Sequence, residues 1–257
     1  MDTGPLDEGA FGLGCHSFAR RQLLIWTETK AVMEGEKSEF LTHIFLAQSN
    51  GSGRLQLARG EKSATSPQFS SDGAFVYFAS ERAGKRNLYR IAIAGGEAEQ
   101  LTDWKGTLGE YSVAPDGNQV AFAGQDEDKD AEKRRKEKLD YKVIDDTPRN
   151  NALFVFSLEK DLPAKPKRIV SRNYHIGAFD WSPDAKKIAF EHRPRPEADY
   201  GSHSDIAEVD LTSSEVRELA GTPAGESSPK YSPDGRYLLF AQGRLERKST
   251  AGQRLVC

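Results

Sequence analysis

The stretch Pro229-Lys-Tyr-Ser-Pro-Asp-Gly235 decides the fold, because the chain repeats its pattern at Pro67–Gly73, Tyr111–Gly117 and Phe179–Ala185. Each copy is followed by a short apolar run such as Tyr237-Leu-Leu-Phe240. In the shared Ser-Pro-Asp-Gly core, proline fixes φ at the first turn position and aspartate accepts a bond from its own backbone two residues on. Glycine adopts the left-handed conformation that closes the turn. The pattern predicts a strand, a tight turn and a second strand.

The repeat spacing predicts four-stranded units. The turn aspartates Asp72, Asp116, Asp184 and Asp234 are 44, 68 and 50 residues apart. Four antiparallel strands in roughly forty residues make one blade of a β-propeller. Upstream, His43–Ala47 and Arg54–Leu57 have the pattern of the third and fourth strands of an earlier blade. The predicted fold is therefore all-β, an incomplete β-propeller of about four blades plus the start of a fifth.

The two ends of the chain depart from the repeat. Residues 23–242 carry the propeller pattern, whereas residues 1–22 and 243–257 fit no strand or helix template. These ends are expected to be either non-native or truncated sequence, or ordinary irregular termini. The domain organisation predicted is thus a partial propeller over 23–242 with an irregular segment on each side.

Two copies of the repeat differ from the consensus in the turn. Ser71 stands in place of the turn proline, and Ala185 stands in place of the glycine. If Ala185 has a positive φ, its Cβ costs about 1–2 kcal/mol there. An Ala185→Gly change is then expected to stabilise the protein.

Composition excludes several classes of function. The chain has 257 residues with a net charge of −3, and its Lys and Arg are mixed among Asp and Glu. No basic field for nucleic acid or anionic lipid is predicted. The apolar run Leu23–Trp26 is too short to cross a bilayer and no signal-peptide core follows Met1, so a cytoplasmic protein is expected. Cys15 and Cys257 have no metal-ligand spacing.

A charged insertion at 125–150 accounts for the long spacing before Asp184. It begins acidic at Asp126–Asp130 and becomes basic at Lys133–Lys136. Glu132 and Lys136 stand four residues apart in the favourable order, which predicts a short exposed helix. Two roles remain open at this point: a solvated connection between strands, or a segment that lines an entrance or touches a partner domain.

No motif predicts a catalytic, cofactor or metal site. The chain has no Gly-x-Ser-x-Gly nucleophile turn. His203-Ser204-Asp205 has the residue types of a triad, but consecutive side chains point apart, and a polar loop is favoured. Gly95-Gly96 is predicted to be a hairpin turn, not a phosphate loop. The histidines lack metal-ligand spacing and are expected to be surface or core residues; they are His16, His43, His175, His192 and His203.

Two further polar segments are candidate sites. Asp145-Asp146 precedes Thr147-Pro148 and has the pattern of a turn. Glu191–Tyr200 is predicted to be a proline-rich charged loop, where Arg193 or Arg195 is a minor candidate for ligand contact. The site residues expected in this chain are therefore none for catalysis, none for a cofactor and none for a metal.

The repeat resembles known propellers. Ser-Pro-Asp-Gly followed by an apolar strand, a Gly-Gly hairpin and the ending Gln100-Leu-Thr102 is similar to the repeats of TolB. It also resembles the N-terminal propeller of prolyl oligopeptidase-family serine peptidases. The acylaminoacyl-peptidase and dipeptidyl-peptidase branch fits best, because there a long charged insertion leads into a strand like Leu153-Phe-Val-Phe156.

The resemblance implies a function for a larger protein. In that family a propeller restricts access to the active site of an α/β-hydrolase domain and walls its substrate cavity. The serine, aspartate and histidine lie in the hydrolase domain, so no catalytic residue is carried over to this chain. The expected partners are a peptide substrate and that hydrolase domain. The alternative is a TolB-like propeller that binds protein partners without peptidase activity.

Overall fold

The computed structural model describes residues 16–18, 23–34, 37–128, 149–159, 162–243 and 253–256. In these ranges nearly all regular structure is β, with one short 3-10 helix at Ala198–His203. The strands form five antiparallel sheets, and within each sheet they are adjacent in chain order. This confirms the predicted all-β class of successive four-stranded blades.

The chain divides into two compact units, the first formed by Met1–Trp104 with Asp161–Ala164. It contains the first and second sheets, each with four strands. The strands of the first sheet are β1 His16–Phe18, β2 Leu23–Glu34, β3 Lys37–Gln48 and β4 Leu55–Ala58. Those of the second are β5 Ala64–Phe69, β6 Phe75–Ser80, β7 Asn87–Ala92 and β8 Glu99–Gln100.

The second unit contains three sheets, of which the last has three strands. The third sheet consists of β9 Thr107–Val113, β10 Gln119–Gln125, β11 Ala152–Ser157 and β12 Lys167–Arg168. The fourth consists of β13 His175–Trp181, β14 Lys187–Arg193, β15 Asp205–Asp210 and β16 Val216–Ala220. The fifth consists of β17 Glu226–Tyr231, β18 Leu238–Gly243 and β19 Gln253–Val256.

The repeated turns have the predicted geometry. In the fifth sheet Gly235 has φ 71° and its N–H donates to the Ser232 carbonyl at 2.9 Å. Asp234 Oδ1 accepts from the Arg236 N–H at 3.1 Å, the bond expected two residues on. The serine that opens the turn adds a contact, because Ser232 Oγ donates to Asp234 Oδ1 at 2.6 Å.

The two exceptional turns keep this geometry. Gly73, the last residue of the copy that contains Ser71, has φ 67°, and its N–H donates to the Ser70 carbonyl at 2.9 Å. Ala185 has φ 57°, so the predicted left-handed alanine is confirmed. Its N–H still donates to the Ser182 carbonyl at 2.9 Å. The tertiary structure therefore imposes the turn at a residue whose side chain disfavours it.

The apolar runs after these turns form the core. Phe78, Phe122 and Phe190 occupy the same place in the second strand of successive sheets, and each is fully buried. The corresponding Phe240 of the fifth sheet is only half-buried. Tyr237, immediately before strand β18, is 64% exposed, and Leu239 within the strand is 37% exposed. One face of the fifth sheet is therefore uncovered within the part of the chain that the structure describes.

The structure adds two short strands near the ends of the chain. A strand, His16–Phe18, lies within the segment 1–22 that showed no strand pattern, and it pairs with Leu23–Ile25. Another, Gln253–Val256, lies within 243–257 and pairs with β18. Strands of three or four residues are too short for an alternating pattern to reveal, so tertiary pairing alone defines them.

The predicted loop Glu191–Tyr200 is also only partly a loop. Glu191, His192 and Arg193 continue strand β14, where Glu191 pairs with Ile206 and His192 with Asp205. The loop begins at Pro194 and leads into the 3-10 helix. Charged residues concealed this end of the strand, because the partly buried positions of Glu191 and Arg193 tolerate charge.

Candidate functional site

Polar side chains converge at one end of the third and fourth sheets, within the second unit. Here the connection after β10, the start of β13 and the connection after β14 meet. The side chains of Asn150, His175, Arg193 and Glu197 lie there, and we refer to them as the loop-edge cluster. Loops held by a rigid sheet are the usual position of binding residues.

His175 lies at the centre of the cluster. It is the first residue of β13 and is paired with Arg193, the last residue of β14. The Asn151 N–H donates to His175 Nδ1 at 3.3 Å, so the neutral ring carries its proton on Nε2. Burial and then the charge of Arg193 lower the pKa of His175, whereas Glu197 acts in the opposite direction. The ring is therefore a neutral hydrogen-bond donor near pH 7.

Arg193 and Glu197 are incompletely satisfied. Arg193 Nη2 donates to the Pro196 carbonyl at 3.0 Å, which fixes the guanidinium against the loop. Its Nε, Glu197 Oε2 and Asn150 Oδ1 are buried and have no hydrogen-bond partner among the described residues. An unsatisfied buried polar atom costs about 1–3 kcal/mol. Such atoms indicate a place for water or for a ligand with both donors and acceptors.

Asn150 attaches the base of the charged insertion to the fourth sheet. Its Nδ2 donates to the Asn173 carbonyl at 3.2 Å and to the Pro194 carbonyl at 3.1 Å. Beside it, Gln125 Nε2 donates to the Arg149 carbonyl at 2.8 Å. The predicted helix around Glu132–Lys136 and the pair Asp145-Asp146 lie outside the described residues. The two ends of the insertion, however, border the loop-edge cluster.

A neighbouring cavity opens beside the 3-10 helix. It has a volume of about 290 Å³ and is lined by Glu191, Ser202, Ser204 and Gln242 together with small residues. Gly225 permits the close approach of its walls, because a Cβ there would lie 2.5 Å from the Gly201 carbonyl oxygen. The cavity is thus shaped largely by backbone and short polar side chains.

Of the arginines predicted for this loop, the structure brings only Arg193 into the cluster. Arg195 is exposed, and its guanidinium lies 6.0 Å from the ring centre of Tyr200. His175, Glu197 and Asn150 were missed as a group because they come from three separate segments. Asn150 ends the predicted insertion and Glu197 lies in the predicted loop 191–200, but no shared sequence pattern marks the three residues.

The segment His203-Ser204-Asp205 does not have the geometry of a triad. Ser204 Oγ donates to the Gly201 carbonyl at 3.0 Å. His203 Nδ1 lies 3.2 Å from Ser202 Oγ, not from Ser204. Asp205 begins strand β15, and burial raises the pKa of its carboxyl group despite the nearby His192. These three residues therefore lack the mutual hydrogen bonds that activate a serine nucleophile.

The other singled-out residues lie elsewhere. Gly95 and Gly96 form a hairpin turn after β7, with φ 91° and 118°. The His192 ring stacks on the Tyr174 ring with 4.0 Å between the ring centres, and His192 Nε2 lies 2.8 Å from Glu218 Oε2. His43 Nδ1 is buried without a hydrogen-bond partner, again among the described residues.

The described ranges contain no group of three or more His, Cys, Asp or Glu side chains that could hold a metal ion. Only the backbone of His16 is described, in strand β1, and Cys15 and Cys257 lie outside the described residues. In the same ranges, no helix is long and apolar enough to cross a membrane.

No protein-family model matches the chain. The peptidase YuxL of Bacillus subtilis, whose activity is uncharacterised, is 26% identical over 221 residues, which are 84% of this chain and 27% of YuxL. Dipeptidyl-peptidase 5 of Porphyromonas endodontalis is 27% identical over 223 residues, 77% of this chain and 32% of that enzyme. The chain thus spans about a third or less of these relatives.

Solved structures establish the fold. Acylaminoacyl peptidase of Pyrococcus horikoshii superposes with a TM-score of 0.58 at 17% identity, covering 92% of this chain and 36% of that one. TolB of Acinetobacter baumannii superposes with a TM-score of 0.55 at 17% identity, covering 83% of this chain and 46% of that one. The fold is an incomplete β-propeller. The resemblance to TolB repeats and to the propellers of prolyl oligopeptidase-family peptidases is confirmed.

Proposed function

We propose that this chain is the non-catalytic propeller of a serine oligopeptidase of the acylaminoacyl-peptidase and dipeptidyl-peptidase type. The observation that carries the proposal is the alignment of most of the chain with two peptidases of which it spans only 27% and 32%. In the whole enzyme it gates access to, and forms one wall of, the substrate cavity of an α/β-hydrolase domain outside these 257 residues. The proposal includes the cytoplasmic location expected from the sequence, which cell fractionation tests.

The loop-edge cluster supports contact with a peptide substrate. A peptide backbone offers both N–H donors and carbonyl acceptors. The cluster offers the complementary set: Arg193 Nε as a donor, and Glu197 Oε2 and Asn150 Oδ1 as acceptors. These atoms are unsatisfied but covered by protein, so the proposal requires the loop after β14 to move aside before a substrate reaches them; the new bonds then replace few bonds to water. The adjoining small-residue cavity has room for a short side chain.

Peptide binding by the purified chain tests the proposal. Short fluorescent peptides of four to six residues are titrated against the wild-type chain and against Arg193→Ala and Glu197→Gln. A lost hydrogen bond to a charged group is worth about 1.5–3 kcal/mol, so each variant should weaken binding about tenfold or more. Arg195→Ala is the matched control, because Arg195 is exposed and outside the cluster. Equal affinities for all four proteins would contradict the role of the cluster.

Hydrolysis is measured in the same samples. The chain should not cleave a chromogenic aminoacyl or acyl-peptide substrate, because the nucleophile belongs to the hydrolase domain. Turnover by the purified chain that survives further purification would contradict this assignment.

The second candidate is a TolB-like propeller that binds folded protein partners. The TolB superposition favours it, since it covers 46% of the TolB chain, a larger share than for the peptidase. The two candidates differ in their ligand. A peptidase propeller should bind short unstructured peptides at the loop-edge cluster, whereas a TolB-like module should retain its partner when Arg193 and Glu197 are changed.

A further inference from the structure

The first sheet contains a hairpin that extends far beyond its neighbours. Strands β2 and β3 have 12 residues each, whereas β1 has 3 and β4 has 4. Strand β1 pairs only with Leu23–Ile25, and β4 only with Ile44–Leu46. The remaining part, Trp26–Glu34 of β2 with Lys37–His43 of β3, continues as a two-stranded ribbon, which we name the projecting hairpin.

The projecting hairpin has one charged face and one uncharged face. The cross-strand pairs alternate between the faces, because successive side chains of a strand point to opposite sides. On the charged face Glu28 pairs with His43, Lys30 with Leu41 and Val32 with Glu39. On the uncharged face Thr29 pairs with Thr42, Ala31 with Phe40 and Met33 with Ser38. A two-residue repeat of this kind indicates that the uncharged face is a contact surface.

The uncharged face exposes large apolar side chains. Met33 is 78% exposed and Phe40 is 73% exposed, the two highest values among the large hydrophobic residues that the structure describes. An isolated exposed residue is ordinary, but a contiguous apolar patch marks a contact surface. Met33 and Phe40 are such neighbours, because Phe40 is opposite Ala31 and Ala31 lies two residues from Met33.

The outer edge of β2 is also open. On the β3 side, Ser63 occupies the edge: its Oγ accepts from the Thr42 N–H at 3.0 Å and contacts the Phe40 carbonyl at 3.4 Å. The backbone groups of residues 40 and 42 therefore point away from β2. In an antiparallel ladder, the groups of their partners Thr29 and Ala31 then point away from β3. No described strand pairs with this edge beyond Ile25.

We propose that the projecting hairpin joins two copies of this chain by antiparallel pairing of their β2 edges about a two-fold axis at Ala31. An open, uncovered edge strand is a template for pairing with another chain. A two-fold contact uses the same patch on both copies, so the side chains of the patch must pack against identical side chains without repulsion. The uncharged face meets this condition, because its six residues carry no charge that would repel the same face of the second copy.

The position of the axis follows from the charged face and from β1. With Ala31 opposite Ala31, Thr29 faces Met33 and Lys30 faces Val32, so the central five residues oppose no like charges, whereas Glu28 faces Glu34 at each end of the ladder. A shift of the axis to Lys30 would place Lys30 opposite Lys30, which is destabilising. A shift to Thr29 would bring Met33 of the second copy opposite Ile25, where β1 already pairs. The Ala31 register also joins the exposed Met33 and Phe40 of both copies into one apolar patch.

An Ala31→Pro variant of the full chain tests the pairing. Proline removes the outward N–H of residue 31, which makes no bond within the hairpin, and proline is tolerated on edge strands for that reason. The wild-type chain should sediment as a dimer and Ala31→Pro as a monomer with the same circular dichroism, and the two melting temperatures should agree at dilutions where the wild type is monomeric. Tyr237→Ser is the control: it removes an exposed aromatic residue of the fifth sheet and should leave the dimer intact.

Cysteine cross-linking tests the register independently of any folding defect. In a background with Cys15 and Cys257 changed to serine, Ala31→Cys should form a disulfide-linked dimer under mild oxidation. Hydrogen-bonded antiparallel partners have Cα atoms about 5.5 Å apart, within the range of about 4.4–6.8 Å for a disulfide. Thr29→Cys should not cross-link, because its two copies would be about 14 Å apart.

Three results would overturn the proposal. One is a wild-type chain that stays monomeric up to about 100 µM, a concentration above the micromolar dissociation constants of weak specific interfaces. Another is an association that Ala31→Pro leaves unchanged, since it would come from a different surface. The third is equal cross-linking of Ala31→Cys and Thr29→Cys, since that would mean random collision.

Discussion

Replacing Ala185 by glycine should stabilise the protein, although it removes a side chain. Ala185 has φ 57°, in the same turn position where Gly73, Gly117 and Gly235 have φ 67°, 77° and 71°. Relief of the left-handed conformation is worth about 1–2 kcal/mol. The greater freedom of glycine in the unfolded chain costs about 0.4–1 kcal/mol.

The methyl group itself contributes a smaller opposing term. Ala185 is partly buried and packs against the core cluster that contains Ile188 and Val209. A fully buried methylene is worth about 0.8 kcal/mol, so a half-buried methyl contributes about 0.4 kcal/mol. The net stabilisation expected for Ala185→Gly is about 0.5 kcal/mol, which in a chain of this size raises the melting temperature by about 1–2 °C.

Differential scanning calorimetry and urea unfolding measure this effect, with two matched variants. Gly235→Ala makes the reverse change, in a turn where a Cβ would be in ordinary contact with Pro183 at 3.5 Å. It should lower stability by about 1 kcal/mol. Ala83→Gly, at an exposed turn position without positive φ, should lower stability by about 0.5 kcal/mol. A melting temperature of Ala185→Gly equal to or below that of the wild type would refute this account of the turn.

Two further predictions follow from the turns and from the loop-edge cluster. Ser182→Ala should lower the free energy of unfolding by about 1 kcal/mol, because Ser182 Oγ donates to Asp184 Oδ1 and accepts from the Lys187 N–H. In urea unfolding, a loss no larger than that for replacing an exposed serine would contradict this role of Ser182. The lowered pKa of His175 means that the unfolded chain binds its proton more readily, so stability is full above about pH 6.5 and falls as the pH drops toward the folded pKa. His43, whose pKa burial also lowers, adds to this slope, and His175→Gln should flatten it between about pH 5 and 7. An unchanged slope in the variant would contradict the burial of a neutral His175.

The sequence predicts the repeating part of the fold well. Four turns with aspartate at a fixed place, each followed by an apolar run ending in phenylalanine, define the strands around Phe78, Phe122, Phe190 and Phe240. Turn residues act locally, and the phenylalanines mark the same core layer in each sheet. Both signals are therefore present in the residues themselves.

What could not be predicted depends on contacts between distant segments. Strands β1 and β19 are too short to show a period, and the pairing that forms them comes from neighbours. Ser66 and Ser228 adopt φ 54° and 55° although serine has no preference for that region, because the strands β5 and β17 change register there. The long reach of β2 and β3 was also unpredicted, since charged residues such as Glu28 and Lys30 interrupt the apolar pattern.

The candidate site was predicted only in part. The sequence of the loop predicts ligand contact equally for Arg193 and Arg195, and only Arg193 lies in the cluster. The partners of Arg193 come from the insertion at Asn150, from the start of β13 at His175 and from the loop residue Glu197. The pairing of His175 with Arg193 and the hydrogen bonds of Asn150 and Asn151 bring these segments together, and no local pattern encodes those contacts.

Sequencing the gene on both sides of the segment that encodes these 257 residues tests the central claim most directly. If the chain is the propeller of a serine oligopeptidase, the reading frame of the intact protein contains further propeller strands. It also contains a hydrolase region with a Gly-x-Ser-x-Gly nucleophile turn. An intact protein that consists of propeller repeats alone, with no such turn, would contradict the claim and favour the TolB-like alternative.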